Sequence, residues 1–303
     1  MKYTYDSGQD AVVMTNFDSF CLEEILECGQ CFRFQRLGSG GGTAVAYEII
    51  AHGRLLWIEQ SRETGTITFM PCPLEEFEEY WMPYFDLEQD YGAMKQSLGR
   101  RDWILREAID FAPGIRILRQ DPFETLISFI ISQNNHIPRI KRIIGLIAQR
   151  YGSHIGGPAY AFPSPEQLAL ADEEALLACN AGFRAKYIMD AVRKVREGVI
   201  PLAYDTKLAT DELRQMLKQI KGVGDKVAAC VLLFGYGRMD CFPVDVWVRR
   251  IMEDLYFKGA SISPAAIQAY AAEFFAPYGG LAQQYLFHYA RQAGMRVMRD
   301  KNQ

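Results

Sequence analysis

The period of the hydrophobic pattern changes once along this chain, at about Asp102, and that change constrains the fold more than any other feature. Upstream, β-branched and aromatic residues alternate or cluster as they do in strands, in the segments CFRFQRL, AVAYEIIA, RLLWIEQ and TGTITFM. Downstream, apolar residues recur at helical spacing, as in WILREAIDFA and AKYIMDAVRKVREG. The pattern predicts an α+β chain, with an N-terminal antiparallel β-sheet domain over residues 1–108 and an all-helical body over residues 109–303.

Two segments within the first part carry further predictions. The acidic stretch PLEEFEEYWMPYF is expected to form a helix after the sheet. The glycine-rich run at residues 38–42 lacks the Gly-Lys-Ser/Thr ending of a phosphate-binding loop, so we interpret it as a hairpin connection only.

The charge is unevenly distributed, which matters for the class of partner. Hydrophobic residues make up 49% and charged residues 23%, an ordinary globular composition that excludes a disordered or coiled-coil chain. The net charge is −4, yet residues 1–110 hold 9 basic and 19 acidic residues, whereas residues 111–303 hold 24 and 18. The basic excess in the second part permits a phosphate-binding face on the helical body.

The cysteines indicate a reduced intracellular protein, because there are seven of them at irregular spacing. Cys28 and Cys31 could suggest zinc or redox chemistry, but no second ligand pair accompanies them and the four histidines are scattered, so we predict no metal. No cysteine follows Cys241, which excludes a C-terminal iron–sulfur cluster. Without an apolar run of about eighteen residues or a secretion signal, neither a membrane span nor export is expected.

The most informative segment runs from residue 213 to residue 252, and its first part, residues 213–235, predicts two helices joined by a tight hairpin. Gly222 and Gly224 flank one apolar residue, so the backbone can turn sharply and leave amide groups free at a helix N-terminus, where they can bind phosphate. An ordinary helix corner with a glycine cap would produce the same pattern.

Lys226 and Asp245 are the candidate chemical groups of this region. Lys226 lies among small and apolar residues of the second helix, and an amine held partly out of water there would be a nucleophile; a surface lysine beside the hairpin is the alternative. Asp245 follows Pro243 and opens the next helix, so it could be catalytic or a helix cap.

The segments GVGDKVAAC and PVDVWVRRI together resemble the helix–hairpin–helix-GPD superfamily of base-excision DNA glycosylases, in which a lysine at the position of Lys226 marks bifunctional members. The segments GQCFR, QDPFE with SQNNHIPRI, and GFRAKY narrow the resemblance to the 8-oxoguanine DNA glycosylase/lyase family of the eukaryotic type, also present in some bacteria. The resemblance covers nearly the whole chain, in order.

The resemblance implies a mechanism. Lys226 would attack C1′ of the damaged nucleotide, expel the base and form a Schiff base that permits β-elimination of the 3′ phosphate. Asp245 would stabilise the positive charge that develops on the sugar and orient the amine. The target nucleotide must leave the duplex to be reached, so the protein needs a pocket and a plug.

The resemblance also assigns the pocket. Cys230 and Phe287 match the two faces that sandwich the base, although both could be plain core residues. Gln283 matches the residue that contacts the Watson–Crick edge, and the carbonyl of Gly29 matches the acceptor for the N7–H that only the oxidised purine carries. Glycine allows the backbone to approach the base closely.

Four residues match the family's contacts to the rest of the duplex. Asn134 would fill the gap left by the flipped base, and Phe183 stands where the family has a wedge tyrosine. Arg139 and Arg184 would hydrogen-bond the estranged cytosine, with phosphate contact or surface charge as the alternative.

The sequence departs from the family pattern at two positions. Trp247 stands where better-known members have a phosphate-binding histidine, so we expect it at the DNA interface but do not transfer the histidine's role. Ala290 replaces an aspartate. No cofactor is implied, although carbonyls near Lys221 and Val223 could hold a structural cation, as hairpins of this superfamily often do.

The predicted function is therefore a bifunctional glycosylase/lyase that excises 8-oxoguanine, and also formamidopyrimidine-guanine, from duplex DNA opposite cytosine. One alternative is a related glycosylase with another base specificity, and the other is a non-catalytic DNA-binding module. The expected partner is double-stranded DNA, with no membrane; the protein is expected to be a monomer in the cytoplasm, associated with the nucleoid.

Overall fold

The computed structural model describes residues 2–15, 17–38 and 43–293, so most of the predicted glycine-rich connection and residues 294–303 lie outside it. Within the described ranges an N-terminal sheet precedes a helical body, which confirms the predicted fold class. The elements of the N-terminal part are β1 Tyr3–Asp6, β2 Ala11–Thr15, α1 Leu22–Glu27, β3 Phe34–Leu37, β4 Ala44–Ala51, β5 Arg54–Ser61, β6 Thr66–Met70, α2 Leu74–Glu76, a π-helical turn Phe77–Trp81 and α3 Met82–Tyr84.

The sheet has six antiparallel strands in the order β1-β2-β6-β5-β4-β3. The four predicted strands form its β3–β6 half, and β3 pairs with β4 as the predicted hairpin requires. Strands β1 and β2 were not predicted, although three of the five residues of β2 are buried. The acidic segment is helical from Leu74 to Tyr84, as predicted.

The body contains twelve α-helices among the described residues, with one two-stranded hairpin added to the predicted helical pattern. Its elements are α4 Tyr91–Arg101, α5 Trp103–Phe111, α6 Pro122–Ser132, α7 Ile137–Tyr151, β7 His154–Gly156, β8 Ala159–Tyr160, α8 Pro165–Leu168, α9 Glu173–Ala178, a 3-10 turn Gly182–Arg184, α10 Ala185–Arg196, α11 Thr210–Lys218, α12 Asp225–Tyr236, α13 Val246–Ile251, a π-helical turn Met252–Tyr256, α14 Pro264–Phe274 and α15 Gly279–Ala293.

Each part of the chain has its own apolar core. Aromatic rings fill the core beneath the sheet, where Phe69 makes edge contacts with Phe77 and Phe85. The second core lies inside the helical body and includes nearly all of α6 and α12. In the described ranges, no helix combines the length and the apolar character needed to cross a bilayer.

Buried polar side chains join the two parts. Arg116 is only 1% exposed, and its guanidinium donates to the main-chain carbonyls of Ser19, Phe85, Asp86 and Gln89. A buried guanidinium is tolerated because its donors are satisfied in this way. The segment that enters the helical body is thereby held against the sheet domain.

Gln30 makes a second such connection. Its amide nitrogen donates to the carbonyls of Ile25 and Arg116 at 2.8 Å each, and its oxygen accepts from the N–H of Leu118 at 2.8 Å. In addition, Gln120 donates to the main-chain carbonyl of Gln30. These bonds fix the backbone next to Gly29.

The hairpin between α11 and α12 is held by contacts with α10. Gly222 has φ +80°, and a Cβ there would overlap the ring of Tyr187. Asp190 accepts from the main-chain N–H of Lys221 at 2.8 Å and also from Lys194 and Arg193. Burial alone would raise the pKa of the Asp190 carboxyl, but these donors together lower it to about 2.

Replacing Asp190 with asparagine is expected to reduce the free energy of unfolding by about 1–2 kcal/mol at pH 7, after allowance for solvent around the half-exposed Arg193. Because the folded pKa lies below the ordinary value of 3.8, this stabilisation is present above about pH 4 and is lost as the pH falls towards 2. Urea unfolding of both proteins across this pH range measures the difference.

Asp211→Asn serves as the control, since that carboxylate is 91% exposed and should contribute little. Equal stability of the Asp190→Asn protein and the wild type at pH 7 would contradict the proposed anchoring of the hairpin.

Candidate active site and DNA-binding face

A cleft of about 840 Å³ lies where the loop after α6, the N-terminus of α12 and the start of α13 meet. Five of the predicted site residues line it: Asn134, Gly224, Lys226, Asp245 and Trp247. The cleft therefore brings together an amine, a carboxylate, a hairpin glycine and the residue predicted to fill a gap in DNA.

Lys226 is half-buried at the mouth of this cleft. It is the second residue of α12, and its ammonium nitrogen lies 5.2 Å from the centroid of the Phe129 ring. Every residue of α12 from Val227 to Tyr236 is buried. The amine thus emerges from a packed helix beside an aromatic ring, which restricts where it can point.

Cys230 lies one helical turn after Lys226 and is buried. Burial raises the pKa of its thiol; Lys226 opposes this shift and Asp245 adds to it. The thiol is therefore protonated at neutral pH and is a poor nucleophile.

Asp245 caps a helix and also lines the cleft. Its Oδ1 accepts from the main-chain N–H of Val248 at 2.8 Å, so it caps α13. Its Oδ2 makes no hydrogen bond to any described residue and belongs to a side chain that lines the cleft. The cap fixes the orientation of the carboxylate, and the second oxygen remains available to a ligand.

The loop that carries Asn134 is supported from beneath by Arg184. Asn134 has a positive φ of +46° and is exposed. Arg184 is 2% exposed, and its guanidinium donates to the carbonyls of Gln133, Asn134 and Ala181. Arg139, at the start of α7, is exposed, and its side chain forms no hydrogen bond within the described ranges. Of the two arginines predicted to contact cytosine, Arg184 is therefore buried and bonded to the main chain, whereas Arg139 is exposed.

Phe183 projects from the same face. Its side chain is 54% exposed, the Arg184 guanidinium lies 4.3 Å from its ring centroid, and Tyr187 meets it edge-on at 5.9 Å. Tyr187 also packs beneath Gly222 of the hairpin, so one ring contacts both Phe183 and the turn between α11 and α12.

Two of the residues predicted for the base pocket, Gly29 and Phe287, meet at the junction of the two parts of the chain. Gly29 has φ +85°, and a Cβ built there would lie 3.4 Å from Cε1 of Phe287, so its backbone lies against that ring. Gln283 precedes Phe287 by one turn of α15 and is therefore on the same face of the helix. These residues and Cys230 do not line the cleft that holds Lys226.

Some features of the site were not found from the sequence. Phe129 beneath Lys226 is an apolar position of α6 and cannot be distinguished there from a core residue. Tyr187 lay within a recognised motif, but its packing against Gly222 depends on the tertiary structure. Trp247 is exposed beside the cleft, with the Arg250 guanidinium 5.7 Å from its ring.

Cys28 and Cys31, the close cysteine pair of the sequence, are both buried free thiols. Burial raises the pKa of Cys28 to about 12 and raises that of Cys31 as well, so both remain thiols. Among the described residues, no cluster of three or more His, Cys, Asp or Glu side chains could hold a metal ion.

Comparison with known proteins gives two adjacent family matches. Residues 12–126 match the 8-oxoguanine DNA glycosylase N-terminal domain, and residues 127–277 match the HhH-GPD superfamily of base excision DNA repair proteins. Together they cover most of the sheet, the cleft and the hairpin.

Similar proteins are found by sequence and by structure. A probable N-glycosylase/DNA lyase of Methanothermobacter thermautotrophicus is 31% identical over 78% of this chain and 83% of its own length. The N-glycosylase/DNA lyase of Saccharomyces cerevisiae is 31% identical over 84% of this chain and 72% of its own.

Two solved structures share the whole architecture. MBOgg1 in complex with a low-affinity DNA ligand has a TM-score of 0.90 and 43% identity, covering 97% of this chain and all of its own. The 8-oxoguanine glycosylase/lyase of Clostridium acetobutylicum, in complex with double-stranded DNA containing cytosine opposite 8-oxoguanine, has a TM-score of 0.89 and 39% identity over 97% and 98% of the two chains. The chain therefore belongs to the 8-oxoguanine DNA glycosylase family of the HhH-GPD superfamily.

Proposed function

We infer that this protein is a bifunctional N-glycosylase/DNA lyase that excises 8-oxoguanine from double-stranded DNA and acts in base excision repair. The observation that carries this function is the placement of the Lys226 amine and the Asp245 carboxylate in one cleft beside the exposed Asn134 loop. An amine is the side chain that forms an imine with a sugar carbon, and a carboxylate stabilises an oxocarbenium-like sugar.

The residue roles follow from this arrangement. Lys226, in its neutral form, attacks C1′ of the extruded nucleotide through its nitrogen lone pair; the bond between C1′ and the base breaks, and the base leaves with the bonding electrons and takes up a proton. The C1′–O4′ bond then breaks, O4′ takes up the proton that the nitrogen loses, and a Schiff base results. Loss of a proton from C2′ follows, and the 3′ phosphate leaves by β-elimination. The free Oδ2 of Asp245 faces the developing positive charge while Oδ1 stays bonded to α13.

Recognition of the base uses the junction pocket. The Gly29 carbonyl accepts a hydrogen bond from the N7–H of 8-oxoguanine, whereas unmodified guanine presents a lone pair there and is repelled. Phe287 and Cys230 pack on the two faces of the base, and Gln283 contacts its Watson–Crick edge. The contact between Gly29 and Phe287 supports this assignment, since a larger residue at position 29 would lie against the ring.

The duplex is held around the gap by the exposed residues of the same face. Asn134 fills the space left by the base, Phe183 wedges into the stack, and the hairpin at Gly222 and Gly224 binds backbone phosphate. Trp247 contacts DNA at the edge of the cleft. Cytosine opposite the lesion is preferred; Arg139 supplies the direct contact, and Arg184 acts mainly through the Asn134 loop that it supports.

No cofactor takes part in this chemistry, and the protein is proposed to act on DNA as a monomer in the cytoplasm, at the nucleoid. We also propose that the boundary between the two domains lies between residues 108 and 109. The sheet domain then supplies Gly29, and the helical body supplies the other proposed site residues.

Lys226→Gln is expected to abolish covalent capture on DNA that contains 8-oxoguanine opposite cytosine, because the amide cannot form an imine. The measurement is borohydride trapping followed by gel separation of the protein–DNA adduct. Lys258→Gln, on the turn after α13, should trap like the wild type. Trapping of the Lys226→Gln protein at the wild-type rate would refute the assignment, and damage-specific binding without any cleavage by the wild type would favour a non-catalytic module.

Arg139→Gln is expected to slow excision opposite cytosine by roughly tenfold and to change excision opposite the other bases less, because a lost base contact costs about 1–3 kcal/mol of discrimination. Single-turnover cleavage of 8-oxoguanine opposite each of the four bases measures this. Arg142→Gln, three residues further along α7 and also exposed, is the matched control. An equal loss against all four opposing bases would assign Arg139 to phosphate contact instead.

A further inference from the structure

Arg249 lines the same cleft as Lys226, and hydrogen bonds fix one edge of its guanidinium. Its Nε donates to Oε1 of Glu253 at 2.9 Å, and its Nη2 donates to Oγ of Ser261 at 3.2 Å. Glu253 is itself held in place, because the same oxygen accepts from the main-chain N–H of Ile262 at 3.0 Å. The bond from Ile262 and then the bond from Arg249 lower the pKa of the Glu253 carboxyl, so it is ionised at neutral pH.

The bonded edge leaves the end of the guanidinium available. The N–H of Nε and the neighbouring N–H of Nη2 form one side of the planar group, and Glu253 and Ser261 occupy that side. Nη1 makes no hydrogen bond to any residue within the ranges that the structure describes. One N–H of Nη1 and the second N–H of Nη2 therefore form a fork that matches two oxygens of a carboxylate or a phosphate.

An ordinary ion pair on the helix surface would explain the bond to Glu253 but not the position in the cleft. The two residues are four apart, and their side chains are 41% and 20% exposed, as is common for such pairs. Of the two arginines of α13, however, only Arg249 lines the cleft, whereas the Arg250 guanidinium lies 5.7 Å from the Trp247 ring. The helix thus presents a fixed cation beside the reactive groups.

The chemistry of the occupant follows from what Lys226 must reach. A deoxyribose whose C1′ meets the amine carries one phosphate on its 5′ side and one on its 3′ side, so these anions come to the same cleft. Trp247 lines the cleft at the position where the family pattern has a phosphate-binding histidine, and an indole carries no charge. A cation is nevertheless present in the cleft, two residues later in the chain.

We propose that the Arg249 fork binds a backbone phosphate that flanks the extruded nucleotide, and that Glu253 and Ser261 orient the fork. This inference rests on the proposed function, because extrusion of the nucleotide brings that phosphate to the cleft. A backbone contact carries no information on the base, so it positions the sugar at Lys226 whichever purine is extruded.

The test is Arg249→Gln, with binding measured to a duplex that contains tetrahydrofuran, an abasic analogue that cannot form an imine, opposite cytosine. We expect Kd to rise by roughly tenfold, because a hydrogen bond between charged groups is lost. The slope of log affinity against log salt should become shallower by about 0.9, because one phosphate fewer is neutralised. Arg249→Lys keeps the charge without the fork, so it should keep the slope and recover only part of the affinity.

Arg62→Gln is the matched control, since Arg62 is also paired with a glutamate, Glu23, but lies on the turn between β5 and β6, outside the cleft. It should bind like the wild type. An unchanged salt slope in the Arg249→Gln protein, or an equal loss of affinity for undamaged duplex, would overturn the proposal.

Duplexes with a single uncharged methylphosphonate identify which phosphate is bound. One probe carries it on the 5′ side of the tetrahydrofuran, and the other carries it on the 3′ side. At the bound phosphate the wild type should lose roughly tenfold in affinity, whereas the Arg249→Gln protein should lose much less, because its contact is already absent. Equal losses for the two proteins on both probes would contradict a contact between Arg249 and either phosphate.

The same measurements distinguish failure of this inference from failure of the proposed function. If the wild type prefers the tetrahydrofuran duplex but does not excise 8-oxoguanine, the proposed substrate is wrong, and the two probes still decide the phosphate contact. If the wild type excises 8-oxoguanine and the Arg249→Gln protein binds every duplex equally well, only the phosphate contact is wrong. If the wild type does not prefer the tetrahydrofuran duplex over undamaged DNA, both are overturned.

Discussion

The polar junction between the sheet domain and the helical body is the constraint on which the contact between Gly29 and Phe287 depends. Gln30 satisfies both ends of its buried amide on the 25–30 turn and on residues 116–118, and Arg116 satisfies its guanidinium on carbonyls of the sheet domain. These groups would be costly to bury unpaired, so they favour one relative position of the two parts. That position brings Gly29 against Phe287.

The reactive groups are located at the ends of helices, where local structure sets their direction. Lys226 starts α12, whose remaining residues are buried, and Asp245 caps α13 with one oxygen while the other remains free. The Asn134 loop at the end of α6 is held by Arg184. The Asn134 loop and the Asp245 side chain are thus held in place by hydrogen bonds, while Oδ2 of Asp245 makes none to the described residues. Such an arrangement suits a site that must admit a nucleotide from outside.

Much of this could be predicted from particular residues. The β3–β6 strands, the hairpin with its glycines, and the pairing of Lys226 with Asp245 follow from patterns within short segments of chain. Strands β1 and β2 were missed, because their short alternation does not stand out without the pairing partner β6. The burial of Arg184 could not be foreseen, since an arginine in sequence is equally compatible with solvent, phosphate or main-chain carbonyls.

The sequence by itself determined the change from strands to helices, the chemical groups and the resemblance to the family, because periodicity, capping residues and motif spacing are local properties of the chain. Only the tertiary structure decided that Gly29 meets Phe287, that Phe129 lies beneath the Lys226 amine, and that Ser261 accepts from the Arg249 guanidinium. Each of these contacts depends on how the helices and the sheet pack together, because buried polar groups must find hydrogen-bond partners when the core forms. The local sequence pattern does not specify which partners they find.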